Sequence, residues 1–172
     1  DDSVTGIEDT AVTIDVLSND TDVDGSLNAT TVVFVNPPST GTLSMDGKEL
    51  TITNQGVWTI NPTTGVIDFD PVDNFNGAAT TVQYTVKDNL NLTSDPATIN
   101  VSLTAVNDKP AVVNDSVTGT EDMELTIDVL NNDTDVDGSL NATTVVFVNS
   151  SSIGMLSSGG KKLTVPNQGV WT

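Results

Sequence analysis

Three carboxylates at alternate positions are the feature of this sequence with the clearest chemical potential. Asp20, Asp22 and Asp24 occupy every second position of one short segment, and Gly25 follows them. Such a loop can wrap a hard cation in oxygen ligands, because glycine permits a sharp turn. Thr31 stands where an EF-hand loop needs a bidentate glutamate, so this is not an EF-hand. A calcium loop of another kind is one interpretation, and a solvated aspartate-rich turn is the other.

The same loop returns as Asp133, Asp135 and Asp137, because the chain repeats itself at an offset of 113 residues. Residues 20–36 and 133–149 are identical, and 54–59 returns as 167–172. A unit of this length is a whole domain, since solenoid repeats span roughly 20–50 residues. We therefore expect one complete module over residues 1–109. Residues 110–172 are expected to be the N-terminal part of a second copy.

Composition excludes several classes of function. The chain has 24 acidic residues, five lysines, no arginine, no histidine and no cysteine, with a formal charge of −19. This charge repels nucleic acid and anionic lipid, and no apolar run approaches the ~20 residues that cross a bilayer. Disulfides, thiolate or imidazole metal sites and a Ser-His-Asp triad are impossible. A carboxylate pair of the glycosidase type stays chemically open, but nothing in the sequence places two carboxylates in a cleft. We expect no enzyme.

The elements that would position these loops are short strands. Residues 12–16, 82–86 and 99–103 alternate apolar and polar side chains, which is typical of strands with one wet face. Further candidate strands are 31–35, 50–53, 57–60 and 66–69. About seven short strands separated by turn residues predict an antiparallel β-sandwich. Trp58 and Trp171 are interpreted as core residues, with an exposed sugar-stacking platform as the alternative.

Other oxygen ligands are scattered through the loops of the chain. They include Glu8, Asp70, Asp88, Asn107 and Asp108. Taken singly, each is a solvated charge. Taken together, oxygen ligands without nitrogen or sulfur side chains suit Ca²⁺ better than zinc or copper, and Mg²⁺ is a second option.

Six stretches of the chain carry a resemblance to a known family, and they are 8–17, 19–25, 65–70, 75–77, 84–88 and 106–110. In their order and spacing they resemble bacterial cadherin-like tandem repeats of large surface adhesins. The resemblance covers residues 1–110 and the available part of the second copy. It implies an all-β fold of Greek-key antiparallel β-sandwich modules, cadherin-like or Ig-like, in tandem.

The resemblance also implies Ca²⁺ at the junctions between modules. Glu8 would match an acidic ligand near the end of a module, and Asn107 with Asp108 would match the linker ligands. The next module would contribute Asp135 and Asp137, with Asn141 nearby. Asp70 or Asp73 would match a further acid, and Asp22, Asp24 and Asp88 would serve the junction before residue 1. The linker departs from the pattern, because it lacks an earlier acid and places Lys109 beside the site.

These expectations describe a calcium-binding spacer module of a repetitive bacterial surface adhesin. Calcium would make the rod rigid, and the partners would be neighbouring modules of the same chain. The expected location is extracellular, at the cell surface, in cell adhesion and biofilms. One alternative is an adhesion module that binds carbohydrate or protein. Another is a filament subunit whose second module is completed by strand exchange with another copy.

Overall fold

The computed structural model describes residues 1–148 and 154–172. It forms two compact units, Asp1–Asn107 and Asp108–Thr172. Across the described residues, the regular elements are β-strands and two short 3-10 turns, with no α-helix.

The first unit is a sandwich of two sheets. One sheet has the order β1-β10-β9-β3, with β8 also paired to β10, and the other has the order β2-β7-β6-β5-β4. The first and last strands, β1 and β10, run parallel, and the remaining pairs are antiparallel. The predicted all-β, Ig-like sandwich is thus confirmed. The strands are β1 Asp2–Ile7, β2 Val12–Ile14, β3 Leu27–Val35, β4 Gly41–Leu43, β5 Glu49–Ile52, β6 Gly56–Ile60, β7 Ile67–Pro71, β8 Gly77–Ala78, β9 Val82–Asp88 and β10 Ala97–Thr104.

Alternation of side chains explains why these segments form strands. In β10, Ile99, Val101 and Leu103 are buried, and the polar residues between them face solvent. The sequence pattern did not predict β1, because its apolar content is low and its hydrogen bonds come from a strand almost one hundred residues away. The predicted strand that begins at Val12 ends at Ile14, before the fully buried Val16.

Trp58 lies at the centre of the core. Its side chain has 0% exposure and stacks on Phe69 with ring centroids 4.4 Å apart. Phe75 approaches Phe69 edge-on at 6.2 Å. The interpretation of Trp58 as a core residue is confirmed, and the sugar-stacking alternative is wrong for this position.

The second unit contains the local part of the same fold. Strands β11 Met155–Ser157, β12 Lys162–Val165 and β13 Gly169–Trp171 form an antiparallel meander that corresponds to β4-β5-β6. The 3-10 turns are Ala142–Thr144 and Ser158–Gly160. The counterparts of β1, β2 and β3 are not strands in the described residues, since residues 108–172 hold no counterparts of their partners β10, β7 and β9.

Equivalent tryptophans therefore have different surroundings. Trp58 is fully buried, whereas Trp171 is 47% exposed. The interpretation of Trp171 as a core residue is therefore wrong, because the described residues of the second unit form one sheet of three strands and no second sheet that would cover it. We expect acrylamide to quench two classes of tryptophan fluorescence in this chain, which has two tryptophans. The Trp171→Phe variant should lose the accessible class and keep a blue-shifted emission. Quenching that is unchanged by Trp171→Phe would contradict this assignment of environments.

Candidate calcium-binding loops

The aspartate loop of the first unit is closed by side-chain oxygens that converge on Gly25. Asp22 Oδ1 accepts a hydrogen bond from the Asp24 N–H at 3.1 Å, and Asn89 Oδ1 accepts one from the Ser26 N–H at 3.0 Å. A Cβ at Gly25 would lie 2.3 Å from Asn89 Oδ1 and 3.2 Å from Asp22 Oδ1. Glycine is required here by this close approach of two side-chain oxygens.

Asp88 fixes the segment that brings Asn89 to the loop. It is the last residue of β9, it is 7% exposed, and its Oδ1 accepts the N–H groups of Leu90 and Leu92 at 2.8 Å each. A carboxylate that accepts backbone N–H groups stabilises a tight turn. Asp88, predicted as a metal ligand, thus has an evident structural role, and Asn89 was missed by the sequence analysis.

Asp20 bonds to the core instead of lying beside Asp22 and Asp24 as a third equivalent ligand. The Tyr84 hydroxyl lies 2.7 Å from Asp20 Oδ2, 2.9 Å from the Val16 carbonyl oxygen and 3.2 Å from Asp2 Oδ2. Asn19 donates a further hydrogen bond to Asp2 Oδ1 at 3.0 Å. Burial, followed by the hydrogen bond to Asp20, raises the pKa of Tyr84 well above its usual range. The hydroxyl therefore remains a proton donor.

At the opposite end of β1, Glu8 is a buried carboxylate with neutral partners. It is 1% exposed. Its Oε1 accepts the Val106 N–H at 2.5 Å, and its Oε2 accepts a hydrogen bond from Asn76 Nδ2 at 3.0 Å. Burial of a charge is costly unless hydrogen bonds or a counter-charge compensate it. Asp70, by contrast, is an exposed residue of β7 that lies opposite Val57.

The second unit reproduces the turn of the aspartate loop. Asp135 Oδ1 accepts the Asp137 N–H at 3.1 Å, as Asp22 does for Asp24. Asp137 Oδ2 accepts the Asp108 N–H at 2.5 Å, which brings a linker residue to the loop. Asp133 Oδ1 accepts the Val113 N–H at 2.8 Å. Asn141 caps the following 3-10 turn through Thr143, and Asn107 is the last residue of the first unit.

Two carboxylates are the most that either loop offers at close range. Within the described residues of the first unit, no three carboxylates bring oxygen atoms within 4.8 Å of one another, and the same holds for the second unit. Calcium takes six to eight oxygen ligands, which include amide and backbone carbonyl oxygens and water. A calcium ion at these loops would need such additional oxygens to complete its shell.

The pKa of Tyr84 is directly measurable, because the chain has one tyrosine. Below pH ~10 its hydroxyl is protonated in both the folded and the unfolded chain, and its hydrogen bonds contribute fully to stability. Above that pH the unfolded chain releases the proton and the folded chain retains it, so stability falls as pH rises. We expect ultraviolet titration to show no tyrosinate near pH 10 until the protein unfolds. A transition of the folded protein near pH 10 would contradict this environment.

The Tyr84→Phe variant is the matching stability test. Loss of the hydroxyl removes a donor from the carboxylates of the buried Asp2 and the partly buried Asp20, which typically costs about 1–3 kcal/mol. Thr81→Ala, which removes an exposed hydrogen bond to Asn100, is the control and should change the free energy of unfolding by no more than about 0.5 kcal/mol.

Comparison with known proteins gives one match. A family model described as a bacterial Ig domain matches residues 1–102 and again residues 107–172. No match was found among curated proteins or among solved structures. The match confirms the resemblance to tandem Ig-like and cadherin-like repeats of surface proteins. Such domains typically occur in extracellular surface proteins and are structural or adhesive, not typically enzymatic. Across the described residues, no helix has the length and apolarity needed to cross a bilayer.

Proposed function

Because this chain belongs to the bacterial Ig domain family, we propose that it is a spacer of a repetitive extracellular adhesin whose acidic loops bind calcium. The observation that carries the proposal is the duplicated loop, in which two alternate aspartates form the same turn in both units. A spacer needs a rigid, repeated domain and no reaction centre. The first unit is such a domain, with a continuous core between two sheets.

The residues of the loop fit a calcium ion chemically. Asp22 and Asn89 both direct an oxygen to the backbone at Gly25, where no side chain intervenes. Asp24 is exposed beside them. Carboxylate and amide oxygens are the ligands that hard cations prefer. Asp22, Asp24 and Asn89 would hold the ion in the first unit, and Asp135 with Asp137 are the corresponding residues of the second.

Glu8 and Asp108 are further candidate ligands, each within its own unit. Glu8 is a buried carboxylate whose hydrogen-bond partners are neutral, so a cation nearby would offset the cost of its charge. The Asp108 backbone is bonded to Asp137 in the second unit. At a formal charge of −19, cation binding also reduces repulsion among the aspartates. This reduction stabilises the folded modules. An ion coordinated by several side chains also fixes them relative to one another, which is the physical basis for expecting calcium to make a surface rod stiffer, in adhesion and in biofilms.

Sugar recognition receives no support from the first unit. Phe34, Trp58, Phe69 and Tyr84 are buried, and Phe75 is half-buried against the core. Flat exposed aromatic faces are what a sugar-stacking platform requires.

The open groove between β1 and β2 is lined by Val4, Thr5, Gly6, Ile7, Thr10, Ala11, Val12, Thr13 and Thr104 and carries no charged side chain. It therefore offers no pair of carboxylates for glycoside hydrolysis.

Strand exchange with another copy is a second candidate, favoured by the exposed apolar side chains of the second unit. Val117, Leu125 and Val129 are all more than one third exposed. Their counterparts Val4, Val12 and Val16 in the first unit pack in or against the core. A copy that supplied strands equivalent to β7, β9 and β10 would cover them by the pairings seen in the first unit.

Calcium should stabilise the chain against heat. Extracellular calcium modules have Kd values on the order of 10⁻⁴–10⁻³ M. At ~1 mM free calcium this gives about 0.4–1.4 kcal/mol per site, or a few degrees in Tm. We expect the double variant Asp22→Asn and Asp24→Asn to lose part of this shift.

The matched control for that variant is Asp46→Asn. Asp46 is exposed in the β4–β5 hairpin, where hydrogen bonds from Ser44 and Lys48 lower the pKa of its carboxyl. Losses in proportion to the charges removed, one in the control and two in the double variant, would replace specific binding by general charge screening, which acts over about 8 Å at physiological salt. A Tm that is indifferent to calcium and chelator at constant ionic strength would refute calcium binding.

Small-angle scattering tests the spacer role itself. We expect a longer maximum dimension of the chain with calcium than with chelator, because a rod that calcium makes rigid bends less. The apparent mass should stay that of one chain over a tenfold range of concentration. A mass that rises with concentration would favour strand exchange instead, and tight binding to a sugar with no response to calcium would favour a ligand-binding module.

A further inference from the structure

The backbone of residues 108–113, the linker of the second unit, is hydrogen-bonded to the aspartate loop of that unit, residues 133–138. Ala111 and Thr134 exchange both of their backbone hydrogen bonds, at 2.8 and 3.0 Å. The Val113 N–H donates to Asp133 Oδ1 at 2.8 Å, and the Asp108 N–H donates to Asp137 Oδ2 at 2.5 Å. Two of these four bonds end on carboxylates, which makes them stronger than bonds between neutral groups.

The first aspartate of the loop, Asp20 or Asp133, accepts a different hydrogen bond in each unit. In the first unit, Asp20 uses Oδ2 to accept the hydrogen bond from the buried Tyr84 hydroxyl. In the second unit, Asp133 uses Oδ1 to accept the N–H of Val113. Because a carboxylate has two equivalent acceptor oxygens, one aspartate at this position can bind the core tyrosine with one oxygen and the linker backbone with the other.

We propose that the aspartate loop is a binding surface for an extended linker backbone, which it holds without calcium. Asp133 and Thr134 are the positioning residues of this contact in the second unit. The proposal goes beyond the calcium-dependent spacer role and does not rest on it, because every bond involved joins groups of the protein to one another.

The chemistry of the linker matches this surface. Pro110 has a fixed φ and no N–H, and it restricts Lys109 to extended conformations. The next two N–H groups on the same side of an extended chain belong to Ala111 and Val113, two residues apart. These are the N–H groups that Thr134 and Asp133 accept. Residues 20–24 of the first unit have the same sequence as the loop, so Asp20 and Thr21 present the same surface there.

Amide hydrogen exchange of the whole chain in chelator tests the proposal. We expect the amides of Ala111 and Val113 to exchange on the order of tenfold more slowly than in an unstructured peptide. Asp133→Ala should return the Val113 amide to the unstructured rate. Thr134→Pro removes the N–H that donates to the Ala111 carbonyl oxygen. This loss opens the reciprocal pair and should also release the Ala111 amide, which donates to the Thr134 carbonyl oxygen.

Each variant has a control in the same chain. Asp128→Ala removes a carboxylate whose hydrogen bond serves its own turn, at Leu130, and should leave both linker amides protected. Thr21→Pro makes the proline change in the identical loop of the first unit and should also leave them protected. The Leu163 and Thr164 amides of β12 report whether the sheet of the second unit stays intact. Linker amides that exchange at the unstructured rate in chelator, or that respond equally to Asp128→Ala and Asp133→Ala, would overturn the proposal.

Discussion

Parallel pairing of the first strand with the last is the interaction on which the first unit depends. β1 pairs with β10 from Asp2 opposite Ile99 to Ile7 opposite Thr104. Loop closure over this separation has a large entropic cost, which is recovered when the apolar faces of the two sheets meet. Val4 and Leu103 then pack in the same core as Trp58. Both acidic ends of the unit, at Asp2 and at Glu8, are placed by this one strand.

The carboxylates at both ends of the first unit accept hydrogen bonds that hold the fold together. Asp88 closes a turn, Asp20 and Asp2 bind the Tyr84 hydroxyl, and Glu8 binds Val106 and Asn76. A chain with so many carboxylates and few lysines cannot neutralise them by ion pairs. It satisfies several of them with backbone N–H groups and neutral side chains instead, which leaves the net charge in place.

The Tyr84 hydroxyl joins the core to the aspartate loop. It belongs to a fully buried ring on β9, and it contacts the Val16 carbonyl and the carboxylates of Asp2 and Asp20. The loop therefore starts from a fixed point, and Asp22 and Asp24 extend outward from it. In the second unit, where no counterpart of Tyr84 lies within residues 108–172, Asp133 holds the linker.

The repeated sequence separates what the chain determines locally from what the tertiary structure decides. Asn28 and Asn141 each accept a hydrogen bond from the N–H of the threonine two residues later, and Lys48 and Lys161 donate to equivalent carbonyl oxygens in both units. The Asp22 and Asp135 turns also agree. Each of these contacts spans fewer than twenty residues, so the sequence alone specifies them. The alternating patterns likewise predicted the sandwich and the main strands of the first unit.

Contacts between distant residues could not be read from the pattern. Asn89 reaches the aspartate loop from more than sixty residues away, as does Tyr84, and neither carries a sequence signal that links it to Asp20 or Gly25. The segment of β3 is a strand in one copy and not in the other, although the residues are the same. Strand formation there depends on β9, because a strand alone leaves its N–H and C=O groups without partners. Trp58 and Trp171 differ in exposure for the same reason: local sequence supplies the strand pattern, and only long-range partners supply the core.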